Sequence, residues 1–385
     1  MRTAWSRVLG IALVAACAHS DAFTTADMEH DGPFNPATPI RLTYAPLGDH
    51  DPAFSGDGTW ITYVFERHGA DRDRCVAVLP AAGGTRRHEL CARYVGEVDS
   101  ADGLGAAALR TDGTIAFTLH TGVRGNLTSR TMGLYLGQVD SIAGARRILP
   151  LGTTPPGGSA AWSEVVDPIW VTDTELLVLA ARRHLVNASD CSLCVPPRDR
   201  DRTPIRDTIP VGVEIARLRV VDGRADVVTT VPAVDAIAMS LDRQQGLVHY
   251  LVQRPRPDLA EVFHESLADS VYAVPVGGGT PVLRYGTSGL DAAPLERLHG
   301  IASGHGRLFI SRSWRGSLPP GPTVPPGTLL LSDISEVMPD GSLRTIATAI
   351  SWRWGRIRLS PDGRHLVAEA VERTTSDIYL LDLPT

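Results

Sequence analysis

Asp51, Asp167, His299 and Arg356 occupy one recurring position along this chain, at the start of strand-like segments. Two carboxylates in such a set are material for general acid and base catalysis, whose roles depend on their separation and surroundings. The set would suit a lyase or hydrolase acting on an anionic sugar or a lactone. With Ala106 and Ala236 at the two remaining positions, it would equally suit a hydrated lining that performs no chemistry.

A second set is cationic. Arg67, Arg124, Arg182, Arg183, Arg254, Arg312 and Arg373 recur in polar stretches between apolar segments. A cationic patch of this kind attracts carboxylates, phosphates or an acidic protein surface. The Asp and Glu residues interleaved in the same stretches could also neutralise it.

The cysteines form a third set. Cys75 in "RCVAVLP" and Cys91 in "RRHELCARY" flank the turn "AAGG". In a hairpin, pairing Leu79 with Arg87 and Ala77 with Glu89 continues outward to Cys75 opposite Cys91, which predicts a disulfide. Cys191 and Cys194 stand in "CSLC" within a long polar insertion. Neither a second Cys pair nor a nearby His pair completes a zinc site, and the thioredoxin-like setting of a redox pair is missing. A disulfide stapling the loop is expected, with no metal and no cofactor.

Other catalytic signatures are missing from the sequence. It has no G-x-S-x-G, no H-E-x-x-H and no phosphate- or dinucleotide-binding glycine fingerprint. The chain is therefore expected to be non-catalytic, with a lyase or hydrolase using Asp51, Asp167, His299 and Arg356 as the alternative.

Six segments resemble one another, from "FSGDGTWITYVFER" near the start to "LSPDGRHLVAEAVER" near the end. Each reads as a strand, a tight turn and a second strand. A third strand follows each, such as "RCVAVLP" or "DIYLLDL", and after the first five comes a fourth. The equivalent turn residues Ser55, Arg110, Val171, Ser240, Ser303 and Ser360 lie 55 to 69 residues apart. The excess over a roughly 40-residue blade falls mainly between strands two and three, where function tends to concentrate. The stretch "TPIRLTYAP" at 38–46 has the character of a fourth strand and is expected to pair beside "DIYLLDL", completing the last sheet and protecting its edge.

Ser360, Pro361, Asp362 and Gly363, followed by Asp377, Ile378 and Tyr379, resemble the WD-repeat-like unit of the TolB-type propeller family. The resemblance implies an all-β fold: a six-bladed β-propeller of four-stranded antiparallel blades spanning 38–385, closed by the N-terminal strand. It also implies that the strand-two to strand-three loops carrying the arginines share a face with the blade-to-blade connections.

The N-terminus, "MRTAWSRVLGIALVAACAHSD", carries Arg2 and Arg7 before a short uncharged run that ends at Cys17. It resembles a bacterial lipoprotein signal, which implies a signal peptide over 1–16, lipidation at Cys17 and a flexible tether over 17–37. The lipid would be the sole membrane contact. Ala18 after the cysteine favours the outer over the inner membrane, on the periplasmic side. With a net charge of −6, the chain is not expected to bind nucleic acid, which requires a basic excess. A monomeric envelope protein that binds a partner protein, peptide or glycan through its arginine-rich face is the leading expectation.

Overall fold

The computed structural model describes residues 39–44, 48–66, 74–92, 95, 103–121, 130–151, 161–162, 164–187, 206–231, 236–252, 269–287, 296–317, 328–350, 352–372 and 375–384. Among these residues the structure is strands and turns, with no α-helix. The short apolar runs separated by turn residues account for this, since each run is long enough for a strand and too short for a stable helix.

After β1 (Ile40–Arg41), the strands fall into groups of four. The first unit is β2 (Asp49–Phe54), β3 (Trp60–Glu66), β4 (Arg74–Pro80) and β5 (His88–Cys91). The second is β6 (Gly103–Leu109), β7 (Thr114–Thr121), β8 (Arg130–Gln138) and β9 (Ser141–Pro150). The third is β10 (Glu164–Thr172), β11 (Glu175–Asn187), β12 (Arg206–Arg219) and β13 (Ala225–Val231). The fourth is β14 (Ala236–Asp242), β15 (Leu247–Val252), β16 (Ser270–Pro275) and β17 (Val282–Gly286). The fifth is β18 (Arg297–Gly304), β19 (Arg307–Ser317), β20 (Thr328–Val337) and β21 (Leu343–Ile350). The last is β22 (Arg353–Leu359), β23 (His365–Glu372) and β24 (Thr375–Asp382).

This is a propeller of four-stranded antiparallel blades. Four sheets stand separately, in place of the six expected: those of the third, fourth and fifth units, and the sheet β1-β24-β23-β22. The strands of the first two units form one eight-stranded sheet, joined where Arg74 on β4 pairs in parallel with Gly103 on β6. The first strands pack in a circuit, β2 on β6, β6 on β10, β10 on β14, β14 on β18, β18 on β22 and β22 back on β2. Apolar side chains fill the spaces between successive units, including Trp162 and Trp170 between the second and third and Trp354 between the fifth and last.

The last sheet takes its fourth strand from the beginning of the described chain. β1 is shorter than the expected 38–46, pairing only Ile40 with Leu380 and Arg41 with Tyr379. Beyond those pairs the contact continues without ladder geometry: the Leu42 N–H donates to the Ile378 carbonyl and the Ile378 N–H to Thr43 Oγ1. Leu42 is fully buried, and Arg41 pairs with Asp377 at 2.6 Å.

The recurring Ser-x-Asp-Gly turns are built by their own side chains. Ser55 Oγ donates to Asp57 and accepts the Trp60 N–H. Ser360 repeats the arrangement with Asp362 and the His365 N–H. Gly58 and Gly363 hold φ of 76° and 73°, which a side chain would resist. On the outer side of the first unit, Ala77 pairs with Glu89 and Cys75 with Cys91, and these two cysteines are disulfide-bonded. Cys17, Cys191 and Cys194 lie outside the described residues.

Candidate binding site in the channel

Every first strand carries a register shift at the corresponding place: between His50 and Ala53, Leu104 and Ala107, Val166 and Ile169, Ala236 and Ala238, Leu298 and Gly300, and Trp354 and Ile357. A bulge bends its strand and re-aims a side chain. Asp51 and Asp167 sit at these bulges, each followed by a proline, with left-handed φ of 52° and 55°. In the fifth unit the residue after this position must stay small, because a Cβ on Gly300 would lie 2.6 Å from the Gly355 carbonyl oxygen of β22.

The bulges bring three of the four acid and base candidates together. Arg356 Nε lies 2.7 Å from Asp51 Oδ1, and Arg356 Nη1 lies 3.2 Å from Asp167 Oδ1. Arg358 donates to the same Asp167 oxygen, and the Met239 N–H reaches Asp167 Oδ2 at 3.1 Å. Burial on its own would raise the pKa of Asp167. The Arg358 and Arg356 guanidiniums outweigh it and hold the carboxyl below the usual range. The last unit is thus tied to the first and, across the channel, to the third.

His299 belongs to a different contact. Its Nδ1 accepts from Arg353 at 2.7 Å, so Nε2 carries the proton and donates to Ser313 Oγ at 2.7 Å. Burial, reinforced by the charges of Arg353 and Arg297, pushes its pKa down to about 3. It is a neutral, doubly held imidazole. Among the described residues, no three His, Cys, Asp or Glu groups converge on a point that could hold a metal.

A cavity of about 360 Å³ extends from this ion cluster to the turns joining first and second strands. Asp51, Asp167 and Arg358 form its inner end; Ser55, Gln244, His305 and Pro361 lie at its outer end. Phe54, Leu109, Ile169, Trp170 and Leu359 supply apolar walls. The cavity therefore meets the turn face of the propeller, while the sequence placed chemistry at the channel mouth on the loop face. The physical reason is the bulge, which sets Asp51, Asp167 and Arg356 within the wall.

Arg312 is not a free cation. It makes a two-pronged contact with Asp333, at 2.7 and 2.8 Å, and reaches Glu296 at 2.9 Å, with its guanidinium 5.0 Å from the Trp314 ring centre. Those carboxylates and hydrogen bonds raise its pKa further, against the opposing effect of burial. Of the other arginine candidates, Arg67, Arg124, Arg254 and Arg373 lie outside the described residues. Arg182 and Arg183 are placed only as strand positions on β11.

Sequence reasoning missed Arg358, Arg243, Ser303 and His305 of the cavity. Arg358 was detectable, since it stands two residues from Arg356 and alternate strand residues share a face. Nothing in "LDRQQGL" or "SGHGRL" distinguishes the others from ordinary turns.

No protein-family model matches this sequence, and no curated protein does. Among solved structures the chain is similar to a TolB-like protein from Agrobacterium tumefaciens, with 12% identity over 89% of this chain and 92% of that one and a TM-score of 0.44. It is similar to a prolyl endopeptidase at 13% identity, covering 87% of this chain and 41% of the other, with a TM-score of 0.46. A third is an oligogalacturonate lyase in complex with manganese, at 12% identity over 89% and 92% of the two chains, with a TM-score of 0.43. Likeness at this level carries no argument about activity. The propeller rests on the strand pairings themselves.

Proposed function

We propose that this chain is a non-catalytic binding protein of the bacterial cell envelope, tethered by lipid at Cys17 and built as a six-bladed propeller. The blade count is supported by the circuit of first strands and by the single residue pair, Arg74 with Gly103, that joins the first two four-strand groups. The observation that carries the functional reading is the state of the acid and base candidates. Asp167 is bonded by two guanidiniums and a backbone N–H, Asp51 is paired with Arg356, and His299 is held on both ring nitrogens. Groups committed in this way stiffen a scaffold. A lyase or hydrolase would need one of them free to exchange a proton with substrate.

The binding surface for a partner protein, peptide or glycan is the loop face, with Arg67, Arg124, Arg182, Arg183, Arg254 and Arg373 as its cationic residues. Arg312 serves as an internal strut and leaves this set. A rigid ring presents such loops at low entropic cost.

The test is photocrosslinking in intact cells, with the probe at Arg254 or Arg373 and a control probe at Asp362 on the turn face. A discrete protein adduct from the loop-face probes alone is the expected result. Adducts of equal yield from Asp362, or none from the loop probes, would overturn the loop-face assignment.

A further inference from the structure

The turn-side half of the channel has features that a mere scaffold does not need. At the bulge level charge is balanced: Arg356 and Arg358 face Asp51 and Asp167. Beyond it, at the exposed rim, Arg243 donates from Nη2 to the Trp170 carbonyl, and among the described residues no carboxylate pairs with it. The surrounding protein lowers its pKa, with no acid offsetting the effect. Asp242, its neighbour in sequence, spends its carboxylate on the N–H groups of Gln244, Gln245 and Gly306.

Two further observations mark the same cavity. The Ser303 hydroxyl in its wall is buried and has no hydrogen-bond partner, although a buried polar group ordinarily has one. Asp51, Asp167 and His305 are the described non-glycine residues with left-handed backbone, and all three line this cavity. The His305 value belongs to the two-residue turn His305–Gly306 between β18 and β19, where both residues are left-handed, while at Asp51 and Asp167 such backbone falls beside the cavity, as it does at many ligand sites. His305 is fixed at the rim: Gln244 donates to its Nδ1 at 2.8 Å, and its Nε2 donates to the Pro361 carbonyl at 2.8 Å.

We propose that the channel cavity binds a small organic monocarboxylate from the turn face, its carboxylate on Arg243 and its apolar body against Phe54, Ile169, Trp170 and Leu359. One unbalanced guanidinium matches one negative charge. A dianion such as phosphate would carry surplus charge into apolar walls, at a desolvation cost nothing there offsets. The volume, about 360 Å³, lies at the low end for ligand pockets, and the ion cluster closes the inner end, so the body must be short. This site is separate from the loop-face partner surface and would stand if that surface failed.

Calorimetric titration of the protein with hexanoate and phenylacetate, against hexanamide, phenylacetamide and inorganic phosphate, tests the assignment. Both carboxylates are expected to bind saturably, at least about tenfold tighter than their amides, because a hydrogen bond to a charged group contributes that much. Arg243→Gln should weaken hexanoate about tenfold, with the unliganded protein still folded at the titration temperature. Ala106→Phe fills the cavity while sparing Arg243, and should abolish binding. Hexanoate binding that survives Ala106→Phe would place the anion on the exposed arginine alone and overturn the cavity site. Equal binding of acids and amides, no binding of either, or phosphate bound in preference to both would overturn the ligand class.

Discussion

Asp167 in the channel and Asp49 at the seam where β1, β2 and β24 meet are both buried carboxyls on first strands. Their surroundings drive them in opposite directions. Two guanidiniums and a backbone N–H hold Asp167 below the usual carboxylate range despite its burial. At Asp49, burial dominates: the Thr43 hydroxyl and the Arg86 charge offset it only in part, and the pKa is pushed up to about 7. A buried acid thus supports a fold only when its counter-charge touches it: Arg358 and Arg356 contact Asp167 directly, whereas Arg86, no less buried, pairs with Glu89.

The largest effect that would break this contrast is at Asp167. Asp167→Ala leaves Arg358 and Arg356 without their shared partner and should cost about 3 to 5 kcal/mol in denaturant unfolding. A cost below about 1 kcal/mol would mean that the cluster is not what braces the channel. Because the folded pKa is lowered, this contribution is present above the ordinary carboxylate pKa and is lost as pH falls through the lowered value.

Next comes Asp49→Asn, expected to stabilise the protein by about 2 to 4 kcal/mol at alkaline pH and to change little in acid. The folded pKa is raised from 3.8 to about 7, so the wild-type contribution is full below the lower value and declines as pH rises to the upper one. His299 and His249, pushed down from 6.5 to about 3 and about 4, act in the opposite sense over an overlapping range. The difference between wild-type and variant stability curves, measured across pH, isolates the aspartate. A flat difference would mean that burial leaves Asp49 unshifted, and a slope of the opposite sign would make it a second Asp167.

Arg312→Ala should cost about 2 to 3 kcal/mol by thermal unfolding, because it strands the buried Asp333 as well as Glu296. Stability within error of wild type would return Arg312 to the set of free surface cations. The smallest effect is at the turns. Ser360→Ala removes one local hydrogen-bonding hydroxyl and should cost about 1 kcal/mol by thermal unfolding.

Local patterns made much of the architecture legible. Asp-Gly turns between apolar runs specified the paired strands, and the hairpin around "AAGG" specified the Cys75 to Cys91 contact, because turn chemistry and register act over neighbouring residues. The pairing of β1 beside β24 followed from an unsatisfied edge, even though they are separated by nearly the whole chain. The joining of the first two units into one sheet was not legible, since it depends on one close approach, Arg74 to Gly103, between chain segments whose spacing no local pattern sets.

For the site, the inward-facing positions could be read from the chain alone, because alternation and the repeat are local. What those positions do was set by which residues the fold brings beside them. Whether Asp51 and Asp167 would be free acids depended on Arg356 and Arg358 arriving from the other end of the chain, and whether Arg243 would be balanced depended on no acid arriving there. Charge pairing falls steeply with distance and with exposure to water, and both are fixed by how the strands close into a circuit.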